Sequence, residues 1–169
     1  MSEPDTLAAH AERIMKLAAD RRLTLATVES CTGGALVHLL SQAPGASDIL
    51  HGGFVVYTKE NKTKAIGVPK ELLARHTAVS AEVAEAMAAR GLEHCPAALV
   101  ASITGVAGPE PDEDGNPVGL VYVGVAARDG RRRVARHDFG KRQKDEICRA
   151  AMRAALTLLD ELVMAMGAP

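Results

Sequence analysis

Apolar residues recur at helical spacing from the start of the chain: Leu7, Ala11, Ile14, Leu17 and Ala18 fall on one face over residues 7–22, with Asp5 or Thr6 placed to cap. The pattern then shortens. Residues 23–28 form a brief β-prone run, and after ESCTGG a second helical pattern covers 35–41 until APG stops it. GGFVVYT at 52–58 reads as a strand, and VPKELLARH opens a helix with Pro69 in its first turn. Ser80 caps a longer helix over 81–92, with Val83, Ala84 and Met87 facing one side. AALVASIT at 97–104 is an uninterrupted run of small and branched residues, as in strands buried on both faces. The last third changes pattern. LVYVGVAA at 120–127, a turn at 128–131 and RRVARHDF at 132–139 predict an antiparallel hairpin, and a long helix follows over about 144–166. The expected fold is α/β: a single three-layer α/β/α domain, residues 1–169, on a mixed, mostly parallel sheet with a C-terminal antiparallel hairpin.

Composition narrows the partners. A length of 169 residues suffices for one well-buried core, and aromatics at 2% with no Trp mean that Ala, Val, Leu and Met must build it. Few rings are left for stacking on bases, and a net charge of -1 lacks the basic footprint of a phosphate-backbone binder, so no nucleic-acid partner is expected. Cys31, Cys95 and Cys148 are odd in number and widely spaced, which suggests neither a disulfide framework nor a zinc site and fits a reducing cytoplasm. MSEPDTLAAHAERIMKL lacks a basic start followed by an apolar core, and no run has the eighteen or so apolar residues of a membrane span. The expectation is a cytoplasmic protein with no membrane partner.

Four clusters lie in loops at strand ends, where open α/β sheets gather ligands. Ser30 sits in Glu29-Ser30-Cys31-Thr32-Gly33-Gly34, just past a strand and before a helix whose unpaired N–H groups favour a phosphate or an oxyanion. By itself this segment reads more plainly as an N-cap and a glycine turn, and Cys31 as a packed thiol. Tyr57-Thr58-Lys59-Glu60-Asn61-Lys62 follows the second strand. A serine needs a base, and a lysine serves only when burial or a neighbouring cation lowers its pKa. Lys59, Lys62 and Lys64 all lie within six residues, and spacing does not separate a base among them from a solvated helix start. Tyr57 can orient or relay the proton. The third cluster, Ser102 to Pro109, opens a buried strand into small residues beside the Thr104 hydroxyl and runs into PEPDEDG. That acidic segment lacks the spaced ligands of a calcium loop and reads as mobile and solvated. In the fourth, Arg142 near a helix start can hold a phosphate by paired hydrogen bonds. Of the six histidines none has metal-ligand spacing, and His76, before the turn into Ser80, is the one to follow. Neither a metal nor a cofactor is expected.

Together, ESCTGG at 29–34, GGFVVYT leading to Lys62, HTAVS at 76–80, SITGVAGP at 102–109 and PVGLVYV at 117–123 resemble the C-terminal domain of the competence/damage-inducible protein CinA, in order and over nearly the whole chain. That family includes stand-alone nicotinamide mononucleotide deamidases. The resemblance implies a metal-independent amidohydrolase that turns nicotinamide mononucleotide and water into nicotinic acid mononucleotide and ammonia, in pyridine nucleotide recycling. It implies Ser30 as nucleophile, Lys62 as its base and Tyr57 as their assistant. The N–H groups around Thr32, Gly33 and Gly34 would lie near the reacting carbonyl or the phosphate, Thr104 and Gly105 would line the pocket, and Arg142 matches the arginine after the last strand. A homodimer and a stand-alone form are also implied. A non-catalytic nucleotide-binding or regulatory module is the alternative. This chain departs from the family at YTKENK, where YSNEAK is usual: Lys59 replaces an asparagine and Asn61 a small residue. GKR replaces GDR at Lys141, and PEPDEDG replaces a glycine-rich loop. Lys59 adds a cation able to lower the pKa of Lys62 or to alter substrate contacts.

Overall fold

The computed structural model describes residues 6–166. In chain order the elements are α1 (Leu7–Asp20), β1 (Leu25–Glu29), α2 (Ala35–Ser41), α3 (Ala46–Ile49), β2 (Leu50–Val55), α4 (Lys59–Ile66), α5 (Lys70–His76), α6 (Ala81–His94), β3 (Leu99–Gly105), β4 (Leu120–Ala127), β5 (Arg132–Asp138) and α7 (Lys144–Ala165). The strands form one sheet in the order β2-β1-β3-β4-β5. β1 runs parallel to β2 and β3, whereas β3–β4 and β4–β5 pair antiparallel, so four strands point one way and β4 alone opposes them. The mixed sheet and the closing hairpin are as the sequence pattern predicts.

Alternation along β1 and β3 assigns the layers. Leu25, Leu99, Ala101 and Ile103 face a core shared with α1, α2, α3 and α7. Ala26, Val28 and Val100 face a second core with Ile66 of α4, Leu73 of α5 and Val83 and Met87 of α6. Side chains alternate faces along a strand, so a run that is apolar at every position buries both. Among the described residues no helix is long and apolar enough to cross a membrane.

Boundaries move where side chains satisfy the backbone. Thr6 caps α1 by accepting from the Ala9 N–H at 3.1 Å, and Asp5 lies outside the described residues. The helix ends at Asp20, two residues before the predicted end, and Arg22 takes a left-handed φ of 56°. β2 stops at Val55 rather than 58, because Thr58 caps α4 by accepting from the Asn61 N–H at 3.1 Å. α3, which the pattern did not predict, is a single turn after Gly45.

Close approach of α6 to the sheet fixes the position of the segment before it. The Ser102 hydroxyl donates to the Ala84 carbonyl at 2.6 Å. A Cβ on Gly124 would stand 2.7 Å from that same carbonyl oxygen, and one on Gly91 2.7 Å from Val28 and Val100. Overpacking of this kind displaces backbone. Gly124→Ala is therefore expected to destabilise the protein by about 1–3 kcal/mol in denaturant unfolding; an unchanged midpoint would mean that α6 can withdraw freely.

Candidate active site

β1, β2 and β3 are parallel, and the chain leaves β1 for one face of the sheet (α2) and β2 for the other (α4 to α6). Their carboxyl ends therefore meet at a topological switch point, where such sheets hold ligands. Ser30 follows β1 directly. Its N–H donates to the Ile103 carbonyl at 3.0 Å, and the Glu29 carbonyl accepts from the Val56 N–H at 2.8 Å, so the Ser30 segment is tied to both neighbouring strands.

α4 carries Lys62 into that junction. The helix is polar throughout, KENKTKAI, and only Lys62 and Ile66 are buried, four residues apart on one face. Ile66 anchors the helix in the second core while Lys62, 1% exposed, reaches the end of β1. Its Nζ stands 2.9 Å from Ser30 Oγ, 2.9 Å from the Val56 carbonyl oxygen and 3.2 Å from that of Tyr57. Burial pushes the amine down from 10.5 to about 8, since the charged form loses its hydration. The Lys59 charge acts in the same direction. Cys31 opposes it only as a thiolate, and burial drives that thiol up to about 12, so at neutral pH the opposition is absent and Cys31 is a poor nucleophile. The three acceptors suit both protonation states. An ammonium can donate to all three; a neutral amine can give its two protons to the carbonyls and turn its lone pair to the Ser30 hydroxyl.

A residue without a role in the sequence reading organises the turn. Glu29 is wholly buried, and its carboxylate accepts from Thr27 Oγ1 at 3.1 Å, Thr32 Oγ1 at 2.6 Å and the N–H groups of Gly34, Leu36 and Val37 at 3.1, 3.0 and 2.8 Å. The amino end of α2 is thus filled from within the protein. This corrects the expectation for the N–H groups of Gly33 and Gly34. The Thr32 hydroxyl and the Gly34 N–H serve Glu29, and the Gly33 N–H donates to the Ser30 carbonyl at 3.0 Å. Gly33 and Gly34, at φ 62° and 97°, wrap the chain around that carboxylate. Among the described residues the N–H groups of Cys31 and Thr32 reach no acceptor on another residue, and Cys31 lines the cavity beside Ser30. The signal for Glu29 was an acid closing an apolar strand immediately before a helix start.

The cavity over the pair measures about 520 Å³. Thr104 and Gly105 line it, with the Thr104 hydroxyl donating to the Ala78 carbonyl at 2.6 Å. A Cβ on Gly105 would stand 2.7 Å from Val121 Cγ2, so packing against β4 requires that glycine. Tyr57 touches the pair through its carbonyl, which also accepts from Ser30 Oγ at 3.3 Å; its ring stands exposed at the rim. Arg142 is not brought to this cavity. It is exposed beside a separate depression with Pro109, Lys141, Gln143 and Lys144. The reason is topological: its loop follows β5, three strands from β1, a displacement of about 14 Å at ordinary strand spacing.

The acidic loop also differs from expectation. Lys59 Nζ forms ion pairs with Glu113 at 2.9 Å and Asp114 at 2.7 Å. Asp112 Oδ1 accepts from the N–H groups of Asp114 and Asn116, and Asn116 Nδ2 donates to Thr77 Oγ1 at 3.1 Å. The segment is largely exposed, as expected, but is tied as a strap across the cavity mouth by these contacts. His76 lies within 3.5 Å of Glu82. Among the described residues no group of three or more His, Cys, Asp or Glu is placed to hold a metal ion.

The mixed five-stranded sheet, with helices on both faces and the hydroxyl–amine pair at its switch point, defines an α/β protein with a candidate site at the strand ends. The chain belongs to the CinA C-terminal domain family, whose model matches residues 7–163. It is 46% identical over 142 residues to a competence-damage inducible protein of Moorella thermoacetica, covering 83% of this chain and 34% of that one. To a CinA-like protein of Chloroherpeton thalassium it is 47% identical over 115 residues, 68% of this chain and 27% of the other. The chain thus spans about a quarter to a third of the length of the curated relatives it matches. The crystal structure of competence/damage inducible protein CihA from Agrobacterium tumefaciens superposes with a TM-score of 0.90 at 35% identity, covering 96% of this chain and 99% of that chain. A CinA superfamily protein from Escherichia coli gives 0.87 at 34%, covering 96% and 94%.

The buried amine carries a stability signature. The folded-state pKa of Lys62 is about 8, against 10.5 for a free lysine, so the folded protein binds fewer protons between those values and its stability rises with pH across that window. Below pH 8 the penalty for charging the buried amine is fully present. Lys62→Met removes it, although the Val56 and Tyr57 carbonyls lose a donor. The stability of the variant relative to the parent is expected to fall by on the order of 3 kcal/mol as pH rises from 7 to about 10.5. A difference flat with pH in denaturant titrations would mean an ordinary lysine.

Proposed function

We propose that this chain is a nicotinamide mononucleotide amidohydrolase, releasing ammonia and nicotinic acid mononucleotide through a Ser30–Lys62 pair. The observation that carries the reading is the 2.9 Å approach of a fully buried amine to the Ser30 hydroxyl. A serine hydroxyl attacks an amide only when a base takes its proton, and a lysine is such a base only when desolvated. Thr104 and the turn after Ser30 enclose the space in which the carboxamide would sit.

In the first half-reaction Ser30 Oγ bonds to the carboxamide carbon while its proton passes to Lys62 Nζ. The Cys31 N–H, next to Ser30 and with no acceptor on another residue, would serve the oxyanion, a contact worth about 3–4 kcal/mol in other hydrolases. Lys62 returns the proton to the leaving nitrogen, the C–N bond breaks, and ammonia departs from a Ser30 ester. In the second half-reaction water gives a proton to the same amine and attacks the ester carbon. The C–O bond to Ser30 breaks, and the carboxylic acid product and free hydroxyl are restored. The Val56 and Tyr57 carbonyls hold the amine in place through both halves.

The purified protein with nicotinamide mononucleotide is expected to release ammonia in the presence of a metal chelator. Ser30→Ala should lower kcat/KM by at least roughly a thousandfold while leaving the circular dichroism spectrum intact. With Lys62 active as the neutral amine and a pKa of about 8, the rate should climb close to tenfold per pH unit below 8 and level off above it. Full turnover by Ser30→Ala, or a profile flat from pH 6 to 9, would reject the pair.

A further inference from the structure

Five carboxylates and two amines line the cavity. Glu110, Asp112, Glu113 and Asp114 come from the strap and Glu60 from α4, against Lys59 and Lys62. Glu60 is paired with Lys64 one turn along the helix. Lys62 lies at the floor, committed to Ser30 and two carbonyls. Among the described residues Lys59 is thus the one lining cation positioned to receive an anionic group of a substrate, and Glu113 and Asp114 already hold it.

Position on the helix gives Lys59 a defined relation to the reacting centre. Lys59 and Lys62 are three residues apart in α4, so they share a face within one helical turn. One amine reaches inward to the nucleophile; the other, 33% exposed, lies at the mouth. A ligand whose amide sits at Ser30 and whose far end carries a phosphate would span that interval along the cavity. The ion pairs that hold Lys59 are themselves weak. The Glu113 side chain is 72% exposed and that of Asp114 24%, so the Glu113 pair is the more open to water and exchanges more readily for a stronger partner. A phosphate dianion offers more charge and three acceptor oxygens. The strap, in contrast, is internally tied by Asp112 and anchored to Thr77 through Asn116, so it can keep its own turn when Lys59 lets go.

We propose that Lys59 is a specificity-determining residue for the phosphate end of the substrate, and that Glu113 and Asp114 act as an internal competitor that the phosphate must displace. The proposal rests on the amidohydrolase reading above. The strap thereby sets the pocket's discrimination between the nucleotide and the same nucleoside without phosphate: the nucleotide gains Lys59 but must release two carboxylates, whereas the nucleoside leaves the pairs intact.

Calorimetric binding of nicotinamide mononucleotide and of nicotinamide riboside, in a Ser30→Ala background that prevents turnover, tests this. Glu113→Gln with Asp114→Asn should tighten the nucleotide about fivefold and leave the riboside unchanged. Lys59→Gln should weaken the nucleotide by a similar factor and again spare the riboside. In the triple variant the tightening must disappear, since the freed receptor is absent. Tightening that survives without Lys59 would mean that the strap acts only as a diffuse negative field and would overturn the assignment. So would an unchanged ratio of the two dissociation constants across the variants. An unchanged ratio alongside ammonia release by the parent protein sinks the latch alone. Binding as described without ammonia release sinks the hydrolase alone, and binding of neither ligand sinks both.

Discussion

Burial of one lysine amine is the constraint around which the rest of the structure is arranged. Lys62 comes from a helix that is otherwise polar, and it lies within reach of Ser30 because β1 and β2 are parallel neighbours whose carboxyl ends stand side by side. The amine would be hydrated at the exposed positions of α4. Here Ile66 in the core and the Thr58 cap fix the helix, and the hydration of the amine is replaced by two main-chain carbonyls and one hydroxyl. None of those three partners carries a charge, so desolvation lowers the pKa with no adjacent carboxylate bonded to the amine to restore it. Reactivity and instability at low pH thus share one cause.

Glu29 performs the complementary task. Its carboxylate has five donors around it, from a strand threonine, a turn threonine and three N–H groups at the start of α2, and so draws β1, the turn and the helix together. Ser30 is the next residue and inherits that rigidity. A buried anion lies on one side of the nucleophile, inside the turn, and a buried amine on the other. The loop beyond β3 closes the cavity through Lys59 at the start of α4.

Much of the architecture is legible as periodicity. The all-apolar run of β3, the alternation of helices and strands and the Asp-Gly turn of the hairpin specify their elements through local physics, and they appear where expected. Site geometry is legible only in part. Ser30 stands out because a strand ends and glycines follow, but three lysines in six residues differ in how deeply each is buried, and that is set by how Ile66 and the sheet seat α4. Glu29 escaped notice because the groups it satisfies are mostly backbone N–H groups, which no side-chain pattern marks. Arg142 was expected near a substrate from its place before α7, yet the strand order carries its loop three strands away. The strap looked free for a similar reason: its ion-pair partner lies some fifty residues earlier in the chain, beyond any local pattern.

The central claim is a physical property of one atom and can be read without any substrate. Titration of the Lys62 side chain by NMR, with labelled lysine and Lys62→Met for assignment, should show an amine that loses its proton near pH 8. A Lys62 midpoint at the ordinary lysine value would contradict the account, because the neutral amine that activates Ser30 would then fall at pH 7 from about one molecule in ten to fewer than about one in a thousand.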